Sequence, residues 1–288
     1  MQRFDLATEA TVSTQRVVLI TGASSGAGQS TARLLSRRGY RVFGTSRNPA
    51  VAELAPGVEM LALDVRADES VAACVEAVTR MAGGLDILIN NAGYELAGAL
   101  EEVSMEEAKA QFETNFFGVV RMVKAVLPVM RRQKRGQIIT VSSLTGISAT
   151  PFMGIYSASK FAVEGYTEAL RHELKPFGIH VSLIEPGFLH TPMMSHRQVT
   201  TAQISEYDPW RRRSFEAIRG YEEKGPGPEL VAETVLKIVA SKAPRLRYLT
   251  GKQARVVTGL RRFLPAGAFE KGARSTFRLD RNRAAPPV

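Results

Sequence analysis

The chain has 288 residues, 44% of them hydrophobic, enough to bury a full core as one domain, and a formal net charge of +10. Apolar runs such as 17–20 and 87–89 are far too short to cross a bilayer, and residues 1–15 lack the apolar core of a secretory signal, so a cytoplasmic protein without membrane insertion is expected. The charge would suit nucleic acid, an anionic surface or a phosphorylated cofactor, but no zinc-finger spacing or aromatic-basic RNA motif accompanies it. The basic runs at 131–135 and 211–213, and the Arg-rich end at 271–283, read as solvated faces and tails.

Residues 16–21, with Val17, Val18, Leu19 and Ile20, read as a short β-branched strand stopped by Gly22. A helix follows through Ala32, Leu34 and Leu35 and ends at Gly39, and 41–45 starts the next strand, completing one βαβ unit. Further strands are expected at 58–63, 85–90, 137–142, 180–184 and 246–250, separated by helix-length segments. The single cysteine, Cys74, cannot form an internal disulfide and sits with Val71 and Val75 on a packed helix face. Long amphipathic helices are predicted at 105–130, interrupted near Asn115, and at 153–174, with another at 228–240. This alternation predicts an α/β fold: a doubly wound parallel sheet with helices on both faces. The expected organisation is a flexible tail over 1–15, one domain over 16–276 with a substrate region at about 188–227, and a flexible tail over 277–288.

The first strand runs into Gly22-Ala23-Ser24-Ser25-Gly26-Ala27-Gly28. Glycines at this spacing permit a tight turn, and the helix N-terminus behind them offers unpaired N–H groups to a pyrophosphate. Together with Asn90-Asn91-Ala92-Gly93, Tyr156-Ser157-Ala158-Ser159-Lys160 and Pro186-Gly187, in that order over 16–250, this loop resembles the short-chain dehydrogenase/reductase family. The resemblance implies a Rossmann sheet of about seven strands. It puts Asp64 and Val65 at the adenine, Asn91 on the adenine ribose side, Ala92 and Gly93 against the cofactor, and Thr191 on the nicotinamide carboxamide. Ala27 departs from the family, which usually has a larger aliphatic residue there.

An NAD-preferring fold places an acid after the second strand to accept from the ribose 2′-hydroxyl. This chain has Ser46 and Arg47 there instead, a hydroxyl and a planar cation suited to a 2′-phosphate, so NADP(H) is the expected cofactor.

Tyr156 and Lys160, four apart, share a helix face, and Ser143 precedes Tyr156 by thirteen positions, the family's catalytic spacing. Lys160 supplies a charge that would lower the phenol's pKa, Tyr156 would exchange the proton with a carbonyl oxygen, and Ser143 would hydrogen-bond that oxygen. By resemblance Lys160 also holds the nicotinamide ribose, and Asn115 holds a water near the lysine. His190 is read as a loop residue, and the other histidines have no metal-ligand spacing, so no metal is expected.

Tyr94, Leu144, Phe152, Met153, Phe188, Met193, Met194 and Trp210 are candidate pocket residues, because they are apolar and flank the catalytic and cofactor segments. Residues 244–251 resemble a branch containing steroid and retinoid dehydrogenases, which implies a carbonyl reductase acting on a bulky hydrophobic substrate. Reduction of a small polar carbonyl, or NADP binding without turnover in a regulatory role, are the alternatives. The resemblance also implies a homodimer or homotetramer.

Overall fold

In the computed structural model, which describes residues 15–51, 56–191 and 197–280, the apolar run Val17–Ile20 forms β1 with all four side chains buried. Successive strand side chains point to opposite faces. Leu19 enters a core cluster with Phe43, Leu88, Met122, Val126 and Ile138, while Val18 and Ile20 enter a second with Ile89, Val231, Val235 and Ile238. A strand buried on both faces demands helices on both.

Helix α1 (Gly26–Arg37) turns Thr31, Ala32 and Leu35 inward, and the chain returns as β2 (Arg41–Ser46), which pairs parallel with β1. Beyond it lies β3 (Val58–Ala62). After α2 (Asp68–Ala82), closed by the left-handed Gly83, β4 (Ile87–Asn90) pairs with the other side of β1. The sheet therefore reverses its order between β1 and β4, the kind of crevice where open α/β sheets bind ligands.

The second half continues with a two-residue strand β5 (Leu96–Ala97), α3 (Met105–Phe112), a π-helical turn (Glu113–Phe117), α4 (Gly118–Gln133) and β6 (Gly136–Val141). Then come α5 (Gly154–Leu174), β7 (Ile179–Pro186), β8 (Gln198–Val199), α6 (Asp208–Glu223), α7 (Glu229–Val239), β9 (Arg247–Thr250), α8 (Lys252–Phe263) and α9 (Ala266–Thr276). The main sheet has seven parallel strands in the order β3-β2-β1-β4-β6-β7-β9, and β5 pairs with β8 in a separate two-stranded sheet. The expected seven-stranded doubly wound sheet is present, and Cys74 is buried on α2.

Three features differ from the sequence reading. The substrate region expected at about 188–227, which carries no helix in the sequence reading, contains the sixteen-residue helix α6. Arg211, read as part of a solvated basic run, is buried on α6, where its guanidinium pairs with Glu102 and Asp208. The expected tail does not begin at 277: Phe277 is 8% exposed and packs with Met153, Tyr156 and Ile218. The segments 1–14 and 281–288 lie outside the described residues.

Candidate active site

The chain leaves β1 through Gly22 (φ 68) and Gly26 (φ 54), both in the left-handed region that favours glycine. A Cβ on Gly28 would stand 2.2 Å from the Gly22 carbonyl oxygen and 2.5 Å from Asn91 Nδ2, so that glycine lets loop and helix touch. Asn91 fastens the turn, its Nδ2 donating to the carbonyls of Thr21 (3.0 Å) and Gly22 (2.9 Å). The Ser25 side chain makes no cap bond to α1, and the first turn of α1 contains no acid. Its positive end is thus left for an anion, and the cradle fits a pyrophosphate.

This loop forms one end of a cavity of about 1080 Å³. Ser24, Ser25, Gly26 and Ala27 line it with Gly22, as do Ser46, Arg47, Asp64, Val65, Asn91, Ala92 and Gly93. The cavity also takes in Arg66, whose guanidinium grips the Asp64 carboxylate through Nε (2.9 Å to Oδ1) and Nη2 (2.7 Å to Oδ2). That contact, with a smaller push from Arg47, holds the carboxyl down at about 2.

Farther along, the cavity reaches Ser143, Leu144, Tyr156 and Lys160, then Pro186, Gly187 and Thr191. Ser143 stands where β6 gives way to a short helical turn, its Oγ accepting from the Thr145 N–H at 3.1 Å. Tyr156 and Lys160 rise from the first turns of α5, both buried. The Lys160 Nζ donates to the Val141 carbonyl at 2.9 Å and lies 5.8 Å from the centre of the Tyr156 ring. Burial brings the lysine down to about 8, against the charges of Glu95 and Glu164, which favour its cation. Burial, then the Glu95 charge, pushes the Tyr156 phenol above its ordinary range, while the Ser143 and Thr145 hydroxyls pull the other way. The expected lowering of the phenol is therefore not the balance in this chain: loss of water around the ring outweighs every charge near it.

Asn115 sits in the π-helical turn, buried, with Oδ1 accepting from the Tyr94 N–H (3.1 Å) and Nδ2 donating to the Tyr94 carbonyl (3.0 Å) and Ser159 Oγ (3.3 Å). It does not line the cavity; it fixes the Tyr94 backbone against the helix that carries Tyr156 and Lys160. Gly28 likewise lies behind the lining.

Of the substrate candidates, Tyr94, Leu144, Met153, Tyr156 and Phe188 reach the cavity. Phe152 and Trp210 do not. Phe152 has φ +60 and turns its ring onto Tyr207 and Phe215, and Trp210 packs under the Arg213 guanidinium at 5.1 Å. Met193 and Met194 lie outside the described residues.

Sequence reasoning missed two walls. Glu95 and Glu222 line the cavity, and Arg197 joins them, 2.7 Å from the Glu95 carboxylate and paired with Glu222. Glu95 directly follows the Asn-Asn-Ala-Gly-Tyr run, so its proximity was the available signal. The second wall is α8 and α9, which contribute Val256, Leu260, Leu264 and Phe269. Among the described residues no group of three or more His, Cys, Asp or Glu side chains could hold a metal ion.

The family model described as short chain dehydrogenase matches residues 16–201. The chain is 46% identical to a 3-ketodihydrosphingosine reductase of Bacteroides thetaiotaomicron over 84% of this chain and 90% of the relative. It is 38% identical to bovine retinol dehydrogenase 8, over 88% of this chain and 87% of that one. Among solved structures, a short-chain dehydrogenase from Streptomyces avermitilis superposes with a TM-score of 0.76 at 30% identity, covering 91% of this chain and 99% of the other. The glycine cradle, the parallel sheet and these matches agree: the chain belongs to the short chain dehydrogenase family, oxidoreductases that bind a nicotinamide cofactor.

Proposed function

We propose that the chain reduces a bulky, hydrophobic ketone to its alcohol with NADPH, Tyr156 delivering the proton. The observation that carries this reading is the continuity of one cavity from the Gly22 loop, past Ser143 and Tyr156, to the apolar wall of α8 and α9. Cofactor and substrate sites in line are what transfer between two bound molecules requires.

NADPH is favoured over NADH by Arg47 and Ser46 at the end of β2 and by Arg66 beyond them. The nearby carboxylate, Asp64, is already engaged by Arg66, which leaves Arg47 for a 2′-phosphate. When bound, the cofactor supplies the hydride. Ser143 and Tyr156 would hydrogen-bond the ketone oxygen, and as negative charge grows there the phenol gives up its proton, so that hydride plus proton convert C=O to CH–OH. Burial keeps that phenol protonated, as the acid of a reduction must be. Lys160 would hold the nicotinamide ribose and stabilise the phenolate left behind.

The substrate's shape follows the walls. An apolar tail suits Val256, Leu260, Leu264 and Phe269, and a polar or cationic group beside the carbonyl suits the Glu95–Glu222 pair, whose two carboxylates share the single cation of Arg197. 3-Ketodihydrosphingosine, named for the relative from Bacteroides, is a long-chain ketone with an amine next to the carbonyl, and it has both features. A homodimer or homotetramer through α4 and α5 is part of the reading, supported by the exposed Phe117 and Phe161 at those helices.

The test is NADPH oxidation over ketones graded in length and polarity, with Tyr156→Phe as the control. Turnover of long-chain ketones that the variant loses is expected; turnover confined to small polar carbonyls, or none at all, would overturn the reading.

A further inference from the structure

Helix α8 buries one residue, Ala254, and α9 buries none. Along α8, Val256, Leu260 and Phe263 follow one another at four and three positions, the spacing of a single face. They are 48%, 45% and 80% exposed, and Leu264 just beyond is 40% exposed. Val256, Leu260 and Leu264 also line the catalytic cavity, so the apolar stripe begins at the cavity wall and continues to Phe263 at the tip of the hairpin.

The charge around the stripe is one-sided. Residues 252–276 hold six cations, Lys252, Arg255, Arg261, Arg262, Lys271 and Arg274, against the single acid Glu270. Six minus one gives +5, half of the chain's net +10, within one helical hairpin. Arg255 and Arg262, seven positions apart, share a flank of α8, and Arg262 stands over the Phe263 ring at 5.7 Å. A second copy meeting this face symmetrically would bring the same positive hairpin against it, and like charges would oppose the contact. An anionic bilayer satisfies both halves of the pattern: acyl chains for the stripe and lipid headgroups for the cations.

We propose that the α8–α9 hairpin seats the protein on the surface of an anionic lipid bilayer, with Phe263 in the headgroup–acyl boundary, Arg255 and Arg262 at the headgroups, and the cavity wall of Val256, Leu260 and Leu264 opening toward the lipid. No helix among the described residues is long and apolar enough to cross a membrane, so the contact is peripheral. It rests on the hairpin alone and does not depend on which ketone is reduced.

The experiment is co-sedimentation of the full chain with vesicles of phosphatidylcholine and phosphatidylglycerol, and with vesicles of phosphatidylcholine alone, at low and high salt. Two variants avoid the cavity lining: Phe263→Ser, and Arg255→Gln with Arg262→Gln. Thermal melts matching the wild type establish that both are folded. The wild type is expected to sediment with anionic vesicles at low salt and to be released by high salt or by omission of phosphatidylglycerol. The double variant should partition roughly 30-fold more weakly, and Phe263→Ser roughly tenfold more weakly. Wild-type protein that stays in the supernatant, or variants that bind like wild type, overturns the proposal. So does a wild-type oligomer that Phe263→Ser dissociates without lipid, because the face is then covered by another copy.

Discussion

The Lys160 ammonium stands 5.8 Å from the centre of the Tyr156 ring, and burial acts on the two groups in opposite senses. Each is driven toward its neutral form, the phenol upward and the amine down to about 8. Lys160→Met should therefore abolish turnover while raising the melting temperature of the cofactor-free protein by about 2–4 °C at neutral pH. A lysine with a lowered folded-state pKa leaves the unfolded chain binding more protons between that value and the ordinary lysine range, so wild-type stability rises with pH there. The advantage of the variant should shrink from about pH 8 upward, which thermal melts across pH will read.

Glu95 acts on the same phenol. Its charge raises the Tyr156 pKa, and a reduction slows as pH rises through that value, because the acid loses its proton. Glu95→Gln keeps the shape and removes the charge, so the alkaline limb of the pH–rate profile should move to lower pH. If the carboxylate also holds an amine beside the carbonyl, kcat/KM for a long-chain amino ketone should fall roughly tenfold or more relative to the same ketone without the amine. An unmoved limb and an unchanged ratio would remove Glu95 from the account.

Arg47 is the cofactor test. Arg47→Ala should weaken NADPH binding roughly tenfold to hundredfold and leave NADH binding within about twofold, since only the 2′-phosphate loses a charged partner. Equal losses for both nucleotides, measured by fluorescence titration, would mean that Arg47 shapes the loop instead.

Glu185 is fully buried on β7, with the Glu164 carboxyl and the Arg247 guanidinium (3.2 Å) facing it. Burial first, then the Glu164 charge, pushes its carboxyl well above the carboxylate range, with Arg247 opposing. A raised folded-state value means that the folded chain holds a proton the unfolded chain has lost, so stability falls as pH rises through that window. Glu185→Gln, which cannot ionise, should melt about 2–4 °C above wild type near pH 9, with the gap closing near pH 5.

Much of this was legible in the sequence, for physical reasons. Strands buried on both faces read as near-continuous apolar runs, so β1 and β4 announced themselves, and the Gly22 loop is constrained by contacts that leave no room for a Cβ. The parts that stayed hidden depend on distant pairing. Arg211 reads as a solvated cation until Glu102, more than a hundred positions earlier, is seen against it. Arg197 binds Glu95 and Glu222 from three separate segments, and the two-residue strands β5 and β8 are too short for any period to show. Phe277 reads as the start of a flexible tail because nothing local reveals that it joins the buried cluster of Met153, Tyr156 and Ile218.

The most direct test of the central claim is Tyr156→Phe, assayed for NADPH oxidation with a long-chain ketone and, in parallel, for NADPH binding. The ring and its packing against Met153, Ile218 and Phe277 remain, and only the proton-bearing oxygen is lost. Turnover reduced by roughly a thousandfold or more, with NADPH affinity within about threefold of wild type, is the predicted result. Turnover that survives the substitution would contradict Tyr156 as the proton donor.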